Sequence, residues 1–129
     1  MSDVANVVDS CGWLEYFANG SNADFFAPVI EDTAHLLVPA ITVFEVTRRL
    51  LVTSTNAMAE RACTHMGKGR IKHLSAHAML RASQAATRYQ LAMADAIIWQ
   101  TAQEFEARLY TQDVDLQGLP GVHYIAKTR

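Results

Sequence analysis

Carboxylates stand at four places in this sequence where an acidic side chain needs an explanation. Two of the places follow segments that we predict as short strands, the first of them rich in β-branched residues, and two lie within strongly apolar segments. The residues are Asp9, Glu45, Asp95, and the pair Asp113 and Asp115. Taken singly, each has an ordinary interpretation as a helix cap, a dipole partner, half of an exposed ion pair, or a loop residue. Their joint occurrence in a chain of 129 residues favours a common site.

A shared site for these carboxylates has a definite chemistry. In a parallel sheet the carboxyl ends of the strands share one edge, so the acids that follow strands meet there. Clustered carboxylates repel each other and are costly to desolvate, and such a cluster persists when a cation offsets it. Oxygen ligands without His or Cys favour Mg²⁺ or Mn²⁺, and such an ion activates water and neutralises phosphate charge. The pattern therefore predicts a divalent metal site that acts on phosphate groups.

An alternation of strands and helices must position these acids. We predict strands at 4–8, 36–38, 71–74, 108–111 and 122–125, and helices at 13–17, 23–31, 40–54, 56–66, 75–89 and 91–106. Asn22 is expected to cap the second helix with its side chain. Pro28 conflicts with a continuous helix there unless a kink or an early N-terminal position accommodates it. The buried stripe of the third helix is predicted to consist of Val43, Val46, Leu50 and Leu51. The fold class is α/β: a single domain over residues 1–129, with a central parallel sheet of about four to five strands and helices on both faces.

Charge is distributed unevenly along the chain. The segment 46–94 carries eight basic residues and one acid, a local charge of +7, while the overall charge is −2. Such a split indicates a polyanionic partner, although a helical surface that happens to be basic explains it equally well. If the partner is a nucleic acid, the candidates for phosphate contacts are Arg48, Arg49, Arg70 and Lys72.

The composition predicts a globular cytoplasmic protein. Half of the residues are hydrophobic, no apolar run approaches the ~20 residues of a membrane span, and no signal-peptide pattern is present. Cys11 and Cys63 form no C-x-x-C motif and fit a reducing compartment. The sequence also lacks a phosphate-binding loop, a dinucleotide fingerprint and a nucleophile elbow.

Four segments, in order along the chain, resemble motifs of PIN-domain proteins, specifically the VapC-type toxins of bacterial toxin–antitoxin pairs. The segment 7–14 resembles the N-terminal motif, 91–98 the third acidic motif and 111–115 the fourth. Glu45 falls where the family carries its second acid. The sequence departs from the family pattern at Cys11, where a second serine is common, and at Met93 and Leu116. None of these departures removes a carboxylate.

The resemblance implies a Mg²⁺- or Mn²⁺-dependent endoribonuclease, usually a homodimer, held inactive by a VapB-like antitoxin. It implies metal-binding and catalytic roles for Asp9, Glu45, Asp95 and Asp113. It also implies a further ligand in Asp115 and supporting hydroxyl groups in Ser10 and Thr111. A PIN scaffold that binds RNA or a partner without cutting is the alternative. An aspartate-nucleophile phosphatase fits less well, because it needs a second Asp at position 11, which is Cys here.

Overall fold

Five parallel strands form the central sheet of the computed structural model, which describes residues 4–128. The strands are β1 (Asn6–Val8), β2 (Leu36–Pro39), β3 (Arg70–Lys72), β4 (Arg108–Thr111) and β5 (Val122–Tyr124). They lie in the order β3-β2-β1-β4-β5, and every neighbouring pair is parallel. The sheet confirms the predicted α/β class and the predicted number of strands.

Six helices connect and cover these strands. They are α1 (Ser10–Phe17), α2 (Ala23–Glu31), α3 (Ala40–Thr53), α4 (Asn56–Met66), α5 (Ala76–Tyr89) and α6 (Met93–Glu104). Short 3₁₀ turns occupy Thr33–His35 and Val114–Leu116, the second between the predicted fourth and fifth strands. Across residues 4–128, no helix is long and apolar enough to cross a membrane.

Adjacent residues of β1 face two different helical layers. Val7 packs in a cluster with α5 and α6, which includes Ile98, whereas Val8 packs in a cluster with α1 to α4, which includes Trp13 and Phe26. Because helices cover both faces, every residue of β1 and β2 is buried. The strands therefore appear in the sequence as continuous apolar runs rather than as an alternating pattern.

The order in which the chain adds strands to the sheet changes direction at β1. The chain leaves β1 for β2 and β3 on one side and then crosses back to β4 on the other side. In open parallel sheets, ligands bind in the crevice outside the carboxyl ends of the strands at such a switch point. Asp9 follows β1 and the segment 112–115 follows β4, so both border this crevice.

Several local predictions were wrong. Strand β1 begins at Asn6 rather than at Val4, and β3 lies at Arg70–Lys72 rather than at 71–74. The side chain of Asn22 makes no capping hydrogen bond, because its amide donates to Gln112 and Ala126 instead. The predicted second helix does form, with Pro28 inside it. Leu51 is 52% exposed and does not belong to the buried stripe of α3.

Candidate metal centre

Asp9 lies directly after β1 and is the N-cap of α1. Its carboxylate is 2% exposed and accepts hydrogen bonds from the Gly12 backbone N–H at 3.0 Å and from Thr111 Oγ1 at 2.5 Å. Cys11 Sγ lies 3.1 Å from both carboxylate oxygens and donates to them. Three donors from two elements therefore fix the orientation of Asp9. The helix-cap interpretation of this residue is correct, and it does not exclude a place in the site.

The close approach of α1 to the sheet depends on a glycine. A Cβ atom on Gly12 would lie 2.6 Å from Val8 and 2.7 Å from Phe26, both of which are fully buried. No side chain fits in that space, and so only glycine brings this N–H to the Asp9 carboxylate.

Burial raises the pKa of both Asp9 and Cys11. Desolvation raises the pKa of the Asp9 carboxyl, and the hydrogen bonds from Thr111, Cys11 and Gly12 oppose the rise, while the charge of Asp113 adds to it. Desolvation, followed by the charge of Asp9, also raises the pKa of the Cys11 thiol. The thiol consequently stays protonated and acts as a donor to Asp9 rather than as a thiolate ligand.

Three further carboxylates meet at the carboxyl end of β4. One oxygen from each of Asp95, Asp113 and Asp115 lies within 4.8 Å of the other two. Asp95 is the third residue of α6, and Asp113 caps the following 3₁₀ turn by accepting the Asp115 backbone N–H at 2.9 Å. The Asp113 N–H in turn donates to Thr111 Oγ1 at 2.9 Å. Thr111 therefore links this group to Asp9 through a single hydroxyl.

The pKa of Asp95 shows the effect of the other acids most clearly. Its pKa is raised to about 7, first by burial and then by the negative charges of Asp113, Asp9 and Glu45, with a hydrogen bond to Asp113 also contributing. Charges from three other elements thus act on one carboxyl. The four acids singled out in the sequence lie close enough to interact electrostatically, although they come from positions 9 to 113.

Glu45 enters the same crevice from α3. Ser10 Oγ donates to Glu45 Oε1 at 2.5 Å, which joins the first turn of α1 to α3. Glu45 and Ser10 both line a cavity of about 800 Å³ together with Asp9, Asp95 and Asp113. Asp115 is exposed and does not line this cavity.

The basic residues named from the sequence lie in different places. Arg49 lines the acidic cavity, and Arg48 lies with Glu45 on an adjoining groove. On the edge strand β3, Arg70 donates to the Ala34 carbonyl oxygen at 3.1 Å, and the Lys72 ammonium lies 4.8 Å from the centre of the Phe105 ring. Neither Arg70 nor Lys72 lines the cavity.

Several residues that line the cavity were not singled out from the sequence, and Lys127 and Gln112 are two of them. Lys127 lines the cavity from the segment after β5, and buried Gln112 lines it between Thr111 and Asp113. Neither residue stands in a run or a period that would single it out. For Gln112, the one indication in the sequence was its position between Thr111 and Asp113, inside the segment 111–115 that resembles a family motif.

The donor set fits a hard divalent cation. Asp95, Asp113 and Asp115 offer carboxylate oxygens at mutual distances suited to one ion, and Asp9 and Glu45 border the same crevice. The thiol nearby is protonated, so the ligands on offer are oxygens, as Mg²⁺ and Mn²⁺ prefer. A cation there would also offset the repulsion that raises the pKa of Asp95.

Comparisons with known proteins show which solved structures share this fold. A chain of a toxin–antitoxin complex from Klebsiella pneumoniae superposes with a TM-score of 0.78 at 22% identity, covering 92% of this chain and 96% of that one. PAE2754 from Pyrobaculum aerophilum superposes with a TM-score of 0.73 at 18% sequence identity, and the match covers 94% of this chain and 90% of that one. VapC20 from Mycobacterium tuberculosis is described as a sarcin–ricin loop cleaving toxin. It superposes with a TM-score of 0.67 at 13% sequence identity, and the match covers 88% of this chain and 92% of that one. A search of curated proteins finds no match. The PIN domain model matches residues 7–122, and the chain therefore belongs to the PIN domain family.

Proposed function

We propose that this protein is the toxin of a type II toxin–antitoxin pair, an endoribonuclease that hydrolyses RNA phosphodiester bonds with a Mg²⁺ or Mn²⁺ ion held by carboxylates. The observation that carries the proposal is the convergence of Asp9, Glu45, Asp95 and Asp113 on one cavity at the switch point of the sheet. Membership of the PIN family supports it, as does the similarity to VapC20, which is described as cleaving the sarcin–ricin loop.

Each residue has a role that its contacts support. Asp95, Asp113 and Asp115 would hold the ion, with Asp9 and Glu45 completing the acidic lining. When bound, the ion would activate water and neutralise phosphate charge. The hydroxyl of Ser10 orients Glu45, and that of Thr111 orients Asp9 while it accepts the Asp113 N–H. Fixed carboxylates of this kind reduce the reorganisation that catalysis requires.

The proposed partners follow from charge and exposure. A VapB-like antitoxin would inhibit the toxin by placing a basic side chain among the carboxylates, and the Klebsiella pneumoniae neighbour is part of a toxin–antitoxin complex. The homodimer and the cytoplasmic location stay predictions. Phe44 and Val52 on α3 and Met93 on α6 are 62%, 78% and 72% exposed, an apolar surface that would suit a dimer contact.

A cleavage assay on structured RNA tests the proposal. Purified protein should cut the RNA in Mg²⁺ or Mn²⁺ and stop when a chelator is in excess. Asp9→Asn should fold and fail to cut, while Asp24→Asn serves as the matched control, because Asp24 is an exposed first-turn acid of α2 outside the cavity. Cutting by Asp9→Asn, or undiminished cutting in chelator, contradicts the assignment. RNA binding without any metal-dependent cutting would favour the non-cutting scaffold instead.

A further inference from the structure

We infer that Lys127 is a phosphate-binding residue of the acidic cavity, held in place by Asn22. The inference rests on the proposed ribonuclease function and adds a substrate contact to it. Lys127 lies outside the basic segment 46–94, in the short segment 125–128 that follows β5. It nevertheless lines the same cavity as Asp9 and Asp113.

The backbone on the N-terminal side of Lys127 is fixed by two hydrogen bonds. The Ile125 N–H donates to the Thr111 carbonyl oxygen at 3.0 Å, which continues the pairing of β5 with β4. Asn22 Nδ2 donates to the Ala126 carbonyl oxygen at 3.0 Å. The residue next to Lys127 is therefore tied to the loop before α2, and the segment passes over the carboxyl end of the sheet.

Asn22 also ties this segment to the acidic loop. The same Nδ2 donates to Gln112 Oε1 at 3.0 Å, and Gln112 directly precedes Asp113. The exposed fractions of Asn22 and Gln112 are 5% and 7%, and buried amides persist only where their hydrogen bonds are satisfied. The Asn22 backbone N–H is itself bound to Glu15 Oε2 at 2.8 Å. These contacts hold the segment 125–128 and the Asp113 loop in one arrangement.

The negative charge of the cavity lining makes a cation at Lys127 important for binding RNA. Glu15 lines the cavity in addition to Asp9, Glu45, Asp95 and Asp113, and a site with five carboxylates repels RNA. Within residues 4–128, the cationic side chains that line it are Arg49 on α3 and Lys127, and Lys127 forms no ion pair there. An exposed ammonium on the same cavity as these acids, with no ion-pair partner of its own, can attract a phosphate of the RNA. We therefore expect one backbone phosphate to contact Lys127.

RNA binding to charge variants tests this role. Binding of a labelled single-stranded 12-nucleotide RNA is measured by fluorescence anisotropy from 50 to 200 mM salt, in an Asp9→Asn background that does not cut it. Lys127→Ala should weaken binding about twofold to fivefold, the effect of one solvent-exposed charge contact, and should flatten the salt slope by about 0.7. Lys127→Arg should keep most of the affinity. Lys68→Ala is the matched control, because Lys68 lines a separate groove with Glu60 and His65.

The positioning role of Asn22 needs its own measurement. Asn22→Ala should reproduce most of the loss seen for Lys127→Ala, and the double variant should lose little more, because both changes remove the same contact. If Asn22→Ala does not fold, the comparison of Lys127→Ala with Lys127→Arg still decides the matter. Equal affinities and slopes for Lys127→Ala and its parent overturn the inference and leave the nuclease intact. Failure of the parent to bind RNA overturns both proposals, and a Mn²⁺-dependent melting shift then shows separately whether the metal site exists.

Discussion

Neutralising Asp95 should make the metal-free protein more stable rather than less. Its pKa of about 7, against an ordinary value of 3.8, means that the folded state binds a proton at this carboxyl more readily than the unfolded state does. Stability of the wild type should therefore fall as the pH rises from about 4 to 7 and stay low above 7. Asp95→Asn carries no such proton, so its advantage over the wild type should grow across the same range.

The size of the effect follows from two opposing contributions. The full difference in pKa corresponds to about 4 kcal/mol of unfolding free energy, and solvent screening at this partly exposed carboxyl lowers it to about 1–2 kcal/mol. Against this, Asp95 stands in the first turn of α6, where losing a negative charge costs about 0.3–1 kcal/mol. We expect a net gain of about 1 kcal/mol at pH 8, which raises the melting temperature of a chain this size by about 3–5 °C.

Metal should reverse the order of the two proteins. A divalent ion at a hundred times its dissociation constant should stabilise the wild type by about 2.7 kcal/mol, and Asp95→Asn should lose most of that gain. Thermal melts at pH 4.5 and pH 8, with chelator and with Mn²⁺, provide all the comparisons. Asp24→Asn is the matched control, because it removes a first-turn carboxylate from α2, away from the cavity, and reports the dipole contribution alone.

Two results would refute this reasoning. If metal-free Asp95→Asn melts several degrees below the wild type at pH 8, and Asp24→Asn does not, then Asp95 has a structural role that outweighs the repulsion. If Asp95→Asn also keeps the whole metal-dependent gain, the carboxylates do not form a shared metal site.

Four further predictions follow from other contacts. Asp9→Asn should keep a native circular dichroism spectrum and lose cleavage at least a hundredfold, and a smaller loss would place the chemistry elsewhere. Arg49→Ala should flatten the salt slope of RNA binding by about 0.7. Arg70→Ala should leave the slope unchanged, because the guanidinium of Arg70 is bound to a backbone carbonyl oxygen. Equal slopes for Arg49→Ala and the wild type would show that Arg49 contacts no phosphate. Mn²⁺ affinity, measured by titration, should rise up to pH 7 and level off above it, because the Asp95 carboxyl must release its proton to bind metal; a flat profile would contradict this role. Gly12→Ala should lower the unfolding free energy in urea by about 1–3 kcal/mol, because the new Cβ overlaps Val8, and an unchanged midpoint would mean that α1 can move away.

The sequence was most informative where one physical cause dominates. Buried strands appear as apolar runs because both faces of the sheet are covered, and the carboxyl ends of parallel strands must share an edge. These two facts were enough to bring Asp9 and Asp113 together. The supporting role of the Thr111 hydroxyl stays a prediction, and its hydrogen bonds to the Asp9 carboxylate and the Asp113 N–H emerged only from the structure.

Predictions failed where a side chain had two possible partners. Asn22 has the right type and position for a helix cap, yet its amide bonds to Gln112 and Ala126, residues about 90 and 104 positions away. Local preference cannot anticipate such a choice, because the competing partner exists only in the folded chain. Arg70 also has a partner that the sequence did not indicate, because its guanidinium donates to the Ala34 carbonyl oxygen, while its contact with a phosphate stays a prediction.

Charge along the chain and charge around the cavity are different quantities, and this difference explains how Lys127 was missed. The basic excess of 46–94 is spread over α3, α4, β3 and α5, and of its four candidates only Arg49 lines the acidic cavity. Lys127 lies outside that segment and reaches the cavity because β5 pairs with β4. A cation that lines the cavity has more effect on a phosphate bound there than a cation on the far edge of the sheet, because screening reduces charge interactions beyond about 10 Å. The topology of the strands, rather than the local density of basic residues, therefore determines which cations can act on the substrate.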